Sequence, residues 1–178
     1  MVQLAQNNHK ILIVEDDLLT AAAAGQELAH GGYALCELAH SGADALAIAR
    51  REAPDIAVVD VRLGGTEDGL AVGEILALRH GIAVLYATGS WMRLVMGPAH
   101  GIACLSKPFT MAHLATAVDA VRQRAEGGGR RGRGLPPGFA WLPDALDGAA
   151  DQARRSAGDG SDAGRASPTR LRPPSLAS

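Results

Sequence analysis

Two short runs constrain the fold of this chain more than anything else in it: "ILIV" at 11–14 and "IAVV" at 56–59. Each is aliphatic throughout. A strand with one wet face would alternate apolar and polar residues, so both runs read as strands buried on two faces, as in a parallel sheet covered by helices. Each run also ends in acid. The first stops at Glu15-Asp16-Asp17 and the second at Asp60. A chain that drives buried strands into clustered carboxylates needs something that makes the crowding worthwhile.

The rest of the sequence repeats the alternation. Strands are predicted at 10–14, 33–38, 56–60, 83–88 and 102–106, and helices at 18–30, 42–51, 70–80, 90–96 and 110–125. In the last helix Met111, Leu114, Ala115, Val118 and Val121 fall on one face. Breakers punctuate the pattern: His30-Gly31-Gly32, Glu52-Ala53-Pro54, His80-Gly81 and His100-Gly101, with Gly97-Pro98 cutting the fourth helix short. Five strands alternating with five helices predict an α/β domain with a parallel sheet.

Composition changes at Gly127. Residues 1–126 carry 9 basic and 14 acidic side chains, whereas 127–178 carry 8 basic and 5 acidic. The expected organisation is a flexible 1–8, a folded domain at 9–126 and a Gly/Pro/Arg/Ser-rich tail at 127–178 that is disordered for want of anything to bury. Within the tail, "FAWLPDALDGAADQA" (139–153) is a partial exception, either a short helix or a peptide that folds on meeting a partner. Arg130, Arg131 and Arg133 have no aromatic interleaving and read as solvated linker. A net charge of −2 gives no general attraction to nucleic acid or anionic lipid. No apolar run reaches membrane-span length, the N-terminus lacks a signal-peptide pattern, and two cysteines make neither a disulfide framework nor a zinc motif. A reduced, cytoplasmic protein is expected.

Ligands of open parallel sheets bind outside the carboxyl ends of the strands. The residues there are Glu15, Asp16 and Asp17 after strand one, Asp60 after strand three, Thr88 after strand four, and Lys107-Pro108 after strand five. Crowded carboxylates raise one another's pKa unless a cation joins them. Lys107 alone would make a structural ion pair. A divalent metal is the alternative, and an all-oxygen donor set suits Mg²⁺. With such a cation beside it, the Asp60 carboxylate can attack phosphorus and become an aspartyl-phosphate. Lys107, the Thr88 hydroxyl and backbone N–H groups would then take up the charge on the equatorial oxygens. Asp17 reads as a helix N-cap.

The motifs "VEDD" (14–17), "DIAVVDVRLGG" (55–65), "YATGS" (86–90) and "LSKPF" (105–109), in this order across 9–125, resemble the receiver domain of bacterial two-component response regulators, of the single-domain type. The resemblance implies a flavodoxin-like (βα)5 doubly wound parallel sheet of strand order 2-1-3-4-5. It implies Asp60 as phosphoryl acceptor, and Asp16, Glu15, Asp60 and the backbone carbonyl of Arg62 as the Mg²⁺ site. Thr88 becomes the switch hydroxyl, Lys107 the phosphoryl-binding cation, and Lys107–Pro108 a cis bond. The implied partners are a histidine kinase or histidine phosphotransfer protein and a downstream protein, with no DNA-binding domain and no membrane. Such a protein is a switch that catalyses its own phosphorylation and dephosphorylation, not an enzyme acting on other substrates.

Two features depart from the family pattern. Cys104 stands where an aromatic switch residue is usual, and "VRLGGTEDG" lacks the common proline after the leucine. Arg62 and Ser90 read as exposed residues able to tune water access to the phosphoryl group. A phosphate sink without output and a non-phosphorylated scaffold remain as alternatives. A phosphatase of the haloacid dehalogenase type is disfavoured, because its paired aspartates would fall on Glu15 and Asp17.

Overall fold

The computed structural model describes residues 7–64, 67–89, 100–128 and 134–142. Its elements are β1 Asn7–Val14, α1 Leu18–His30, β2 Tyr33–Leu35, α2 Gly42–Glu52, β3 Ile56–Asp60, β4 Arg62–Leu63, β5 Glu67–Asp68, α3 Gly69–His80, β6 Ala83–Thr88, β7 Ala103–Ser106, α4 Met111–Ala125 and β8 Phe139–Trp141. The main sheet runs β2-β1-β3-β6-β7-β8, parallel except where β8 pairs antiparallel with β7. Its first five strands have the flavodoxin-like order 2-1-3-4-5. The helix expected at 90–96 lies outside the described residues.

The aliphatic runs do what their lack of alternation demands. Leu12, Val14, Ala57, Val59, Val84, Tyr86 and Cys104 face one core, beside Ile48, Val72 and Leu76 of α2 and α3. The intervening Ile11, Ile13, Ile56, Val58, Leu85, Ala103 and Leu105 face the other, beside Leu28, Leu114 and Val118 of α1 and α4. All five residues of β3 and all six of β6 are buried.

Local chemistry sets the helix ends. The Asp17 side chain accepts from the Thr20 N–H at 2.7 Å and starts α1, and this bond holds the Asp17 carboxyl below its usual pKa. Ser41, Asp68 and Thr110 cap α2, α3 and α4 in the same way. Gly81 closes α3 in the left-handed region, at φ +67°.

Two expectations need correction. The second strand is shorter than 33–38, although the N–H groups of Cys36 and Ala39 still bond to the Ile11 and Ile13 carbonyls. More importantly, the domain does not close at residue 126. Phe139–Trp141 adds a sixth strand to the sheet, and Leu142 beside it is buried in the α2/α3 core. The open N–H and C=O groups along the edge of β7 supply the pairing, and Phe139, Trp141 and Leu142 supply the apolar contact that the surrounding glycines lack.

Candidate functional site: an acidic cluster at the carboxyl end of the sheet

β1 and β3 lie side by side and in register from Ile11–Ile56 to Val14–Val59, so both deliver their acids to the same crevice. Glu15, Asp16 and Asp60 each offer a carboxylate oxygen, and these atoms lie within 4.8 Å of one another. Glu15 and Asp60 are buried, and Asp16 is exposed. The ammonium of Lys107 reaches in from beyond β7, 2.6 Å from Asp60 Oδ2 and 3.0 Å from Glu15 Oε2. Thr88, fully buried at the end of β6, accepts the Lys107 N–H on its carbonyl at 2.7 Å. The Lys107–Pro108 bond is cis.

Backbone donors complete the cluster. The Arg62 N–H bonds Asp60 Oδ1 at 3.0 Å, the Gly64 N–H bonds Asp16 Oδ2 at 3.0 Å, and the Asp17 N–H approaches Glu15 Oε1 at 3.4 Å. Burial pushes the Glu15 carboxyl up from its ordinary pKa against the lowering effect of Lys107. Burial also works against the charge on Lys107, but its bonds to Asp60 and Glu15 outweigh that and raise its pKa. Among the described residues, one ammonium pairs with two of the three carboxylates, which leaves the cluster with an excess of acidic groups. An all-oxygen set with that excess fits a hard divalent cation, for which Glu15, Asp16 and Asp60 are the candidate ligands.

Residues not singled out in the sequence also build the site. A Cβ at Gly69 would stand 1.9 Å from the Asp60 carbonyl oxygen, so only glycine lets α3 begin directly against β3. The β4–β5 ribbon, Arg62 with Asp68 and Leu63 with Glu67, carries the Arg62 and Gly64 donors. The sequence signal for both is the glycine-bracketed "GGTEDG" at 64–69. Tyr86, two residues before Thr88, is fully buried, with its hydroxyl near the Leu70 and His100 carbonyls at 3.4 and 3.3 Å. Its ring occupies space that a Cβ on Gly73 or Gly101 would need. Cys104 lies opposite Tyr86 on β7, also fully buried.

Residues 11–119 match the family model described as the response regulator receiver domain. The chain belongs to that family. Receiver domains are signalling switches of two-component systems. Among solved structures, the chain is similar to the signal receiver domain of a modulated diguanylate cyclase from Desulfovibrio desulfuricans G20, at 26% identity and TM-score 0.58 over 67% of this chain and 98% of that one. It is similar in fold to the response regulator PhyR from Brucella abortus, at 23% identity and TM-score 0.53 over 61% of this chain and 45% of that one. It is also similar in fold to the receiver domain of PhyR from Erythrobacter litoralis, at 18% identity and TM-score 0.58 over 72% and 97%. A search of curated protein sequences finds no match. Among the described residues, no helix is long and apolar enough to cross a membrane.

Proposed function

We propose that this receiver takes a phosphoryl group from a histidine kinase or histidine phosphotransfer protein onto Asp60 and changes its protein partner in response. The observation that carries the reading is the Lys107 ammonium 2.6 Å from Asp60 Oδ2, beside two further carboxylates at the carboxyl end of the sheet. Asp60 attacks through a carboxylate oxygen, the new O–P bond forms as the donor's N–P bond breaks, and the leaving imidazole takes a proton. Lys107 stabilises the phosphoryl oxygens, and Thr88, at the end of β6, would donate its hydroxyl to one of them. Mg²⁺, held by Glu15, Asp16, Asp60 and the Arg62 carbonyl, would neutralise charge on the phosphoryl oxygens. A cytoplasmic setting suits both the donor and two buried free cysteines.

Intact mass after incubation with a small phosphodonor and Mg²⁺ tests this. A phosphoryl adduct that needs Mg²⁺ and disappears in Asp60→Asn is expected. An adduct that persists in Asp60→Asn overturns the assignment of the acceptor. A second reading, a phosphate sink without output, is favoured by Cys104, because a buried thiol offers no ring to swing between two positions. In that case phosphorylation leaves every partner affinity unchanged.

A further inference from the structure

Phosphoryl chemistry does not call for β8, yet β8 is joined to the site through one peptide unit. The Ser106 N–H donates to the Gly138 carbonyl at 2.9 Å, at the start of the added strand. The next N–H, of Lys107, donates to the Thr88 carbonyl, and the Lys107 side chain spans Asp60 and Glu15. Gly138 has φ +77° and a Cβ there would sit 3.2 Å from Ser106 Cβ, so the turn into β8 is fitted against the residue that precedes the lysine.

The strand itself is short. It has three residues, all half-buried, registered as Leu105–Phe139, Cys104–Ala140 and Ala103–Trp141. Phe139 and Trp141 meet edge to face with centroids 4.9 Å apart, and the Leu142 N–H bonds the Ile102 carbonyl at 3.0 Å. Beneath it, β7 is wholly buried from Ala103 to Leu105.

We propose that the outer edge of β7 is the effector surface of this chain, covered at rest by its own segment Phe139–Trp141, and that a phosphoryl group on Asp60 releases that cover. The proposal rests on the reading of Asp60 as phosphoacceptor. Phosphoryl oxygens lie beyond the Asp60 carboxylate, so Lys107 must leave Glu15 to follow them. The backbone at 106–107 moves with it, and the bond nearest to that movement is Ser106 to Gly138. A released edge of β7 presents unpaired N–H and C=O groups, to which an extended strand of a partner protein adds. Docked and released forms then make up the two-state equilibrium that phosphorylation biases.

The test uses the full-length chain with Mg²⁺ and beryllium trifluoride, a tetrahedral phosphoryl mimic that needs no donor protein. Fluorine NMR reads binding, and hydrogen exchange reads residues 139–142. Bound fluoride should accompany a loss of protection at 139–142 of about tenfold or more, with α2 unchanged and no response in Asp60→Asn. Bound fluoride with unchanged exchange overturns this proposal and leaves the phosphoacceptor reading intact. Absence of bound fluoride overturns that reading and this proposal with it. Ala140→Pro removes a strand N–H opposite Cys104 and touches no site residue. It should expose 139–142 without any ligand while still binding the fluoride; continued protection there overturns the proposal.

Discussion

At the carboxyl end of the sheet, Glu15, Asp16, Asp60 and Lys107 crowd together under fixed backbone donors, while along the outer edge of β7 a three-residue strand adds with no charge at all. The first region carries a standing cost, visible in the Glu15 carboxyl that burial raises against the nearby lysine. It persists because β1, β3 and β6 are buried from both sides and cannot yield. The second region carries no such cost: it is held by a short run of pairing and by the packing of Phe139, Trp141 and Leu142, and under our proposal it comes off without unfolding the rest. Chemistry needs the rigid region, and a switchable surface needs the loose one.

The largest expected effect comes from comparing two glycines. At Gly69, an added Cβ meets the Asp60 carbonyl oxygen at 1.9 Å and the Val61 Cα at 2.9 Å, and neither can move without shifting β3. Gly69→Ala should cost about 3 kcal/mol of global stability in urea denaturation. Gly138→Ala strains a positive φ and crowds Ser106, but β8 can detach and relieve both. Its global cost should stay near 1 kcal/mol, capped by what docking of the strand contributes. Equal costs at the two positions would break the contrast.

Lys107→Met is the next largest. It removes the cation between Asp60 and Glu15 and leaves two buried carboxylates facing each other. Because Lys107 is 31% exposed, the loss is discounted to about 2 kcal/mol. Adding Glu15→Gln should restore part of it. If the double variant is no more stable than Lys107→Met alone, like-charge repulsion is not what the lysine offsets.

These contrasts also explain what could be read from the sequence. β3 and β6 were legible to the residue, because runs such as Ile56–Asp60 have only one burial pattern open to them. The carboxylates and Lys107 were legible because strand ends place their side chains. The β4–β5 ribbon was not, since two-residue strands carry no periodicity. Gly69 and Gly64 were missed because a glycine's role lies in what its absent side chain avoids. β8 was missed for a related reason. "FAW" between Pro137 and Pro143 has no partner pattern of its own, and only the vacant edge of β7 makes it a strand.

The smallest effect is the most direct comparison of edges. Cys104 lies under β8, opposite Ala140, whereas Cys36 lies beside β2 at the other side of the sheet, its N–H bonded to the Ile11 carbonyl. Burial pushes both thiols up, Cys36 to about 11. At pH 8 a thiol of that pKa is ionised only about one part in 10³, so native alkylation waits on local opening. Cys104 should therefore be labelled first by iodoacetamide, by about tenfold or more, with Ala140→Pro widening the gap and leaving Cys36 unchanged. The pH matters for a second reason. A thiol whose folded pKa is raised gives its full stability below the ordinary value of 9.0 and loses it as pH climbs towards about 11, because the unfolded chain ionises first. At pH 8 that loss has not begun, so a rate difference between the two cysteines measures the edges themselves. Equal rates would mean that β8 opens no more readily than β2, and the edge of β7 would then be as firmly built as the rest of the sheet.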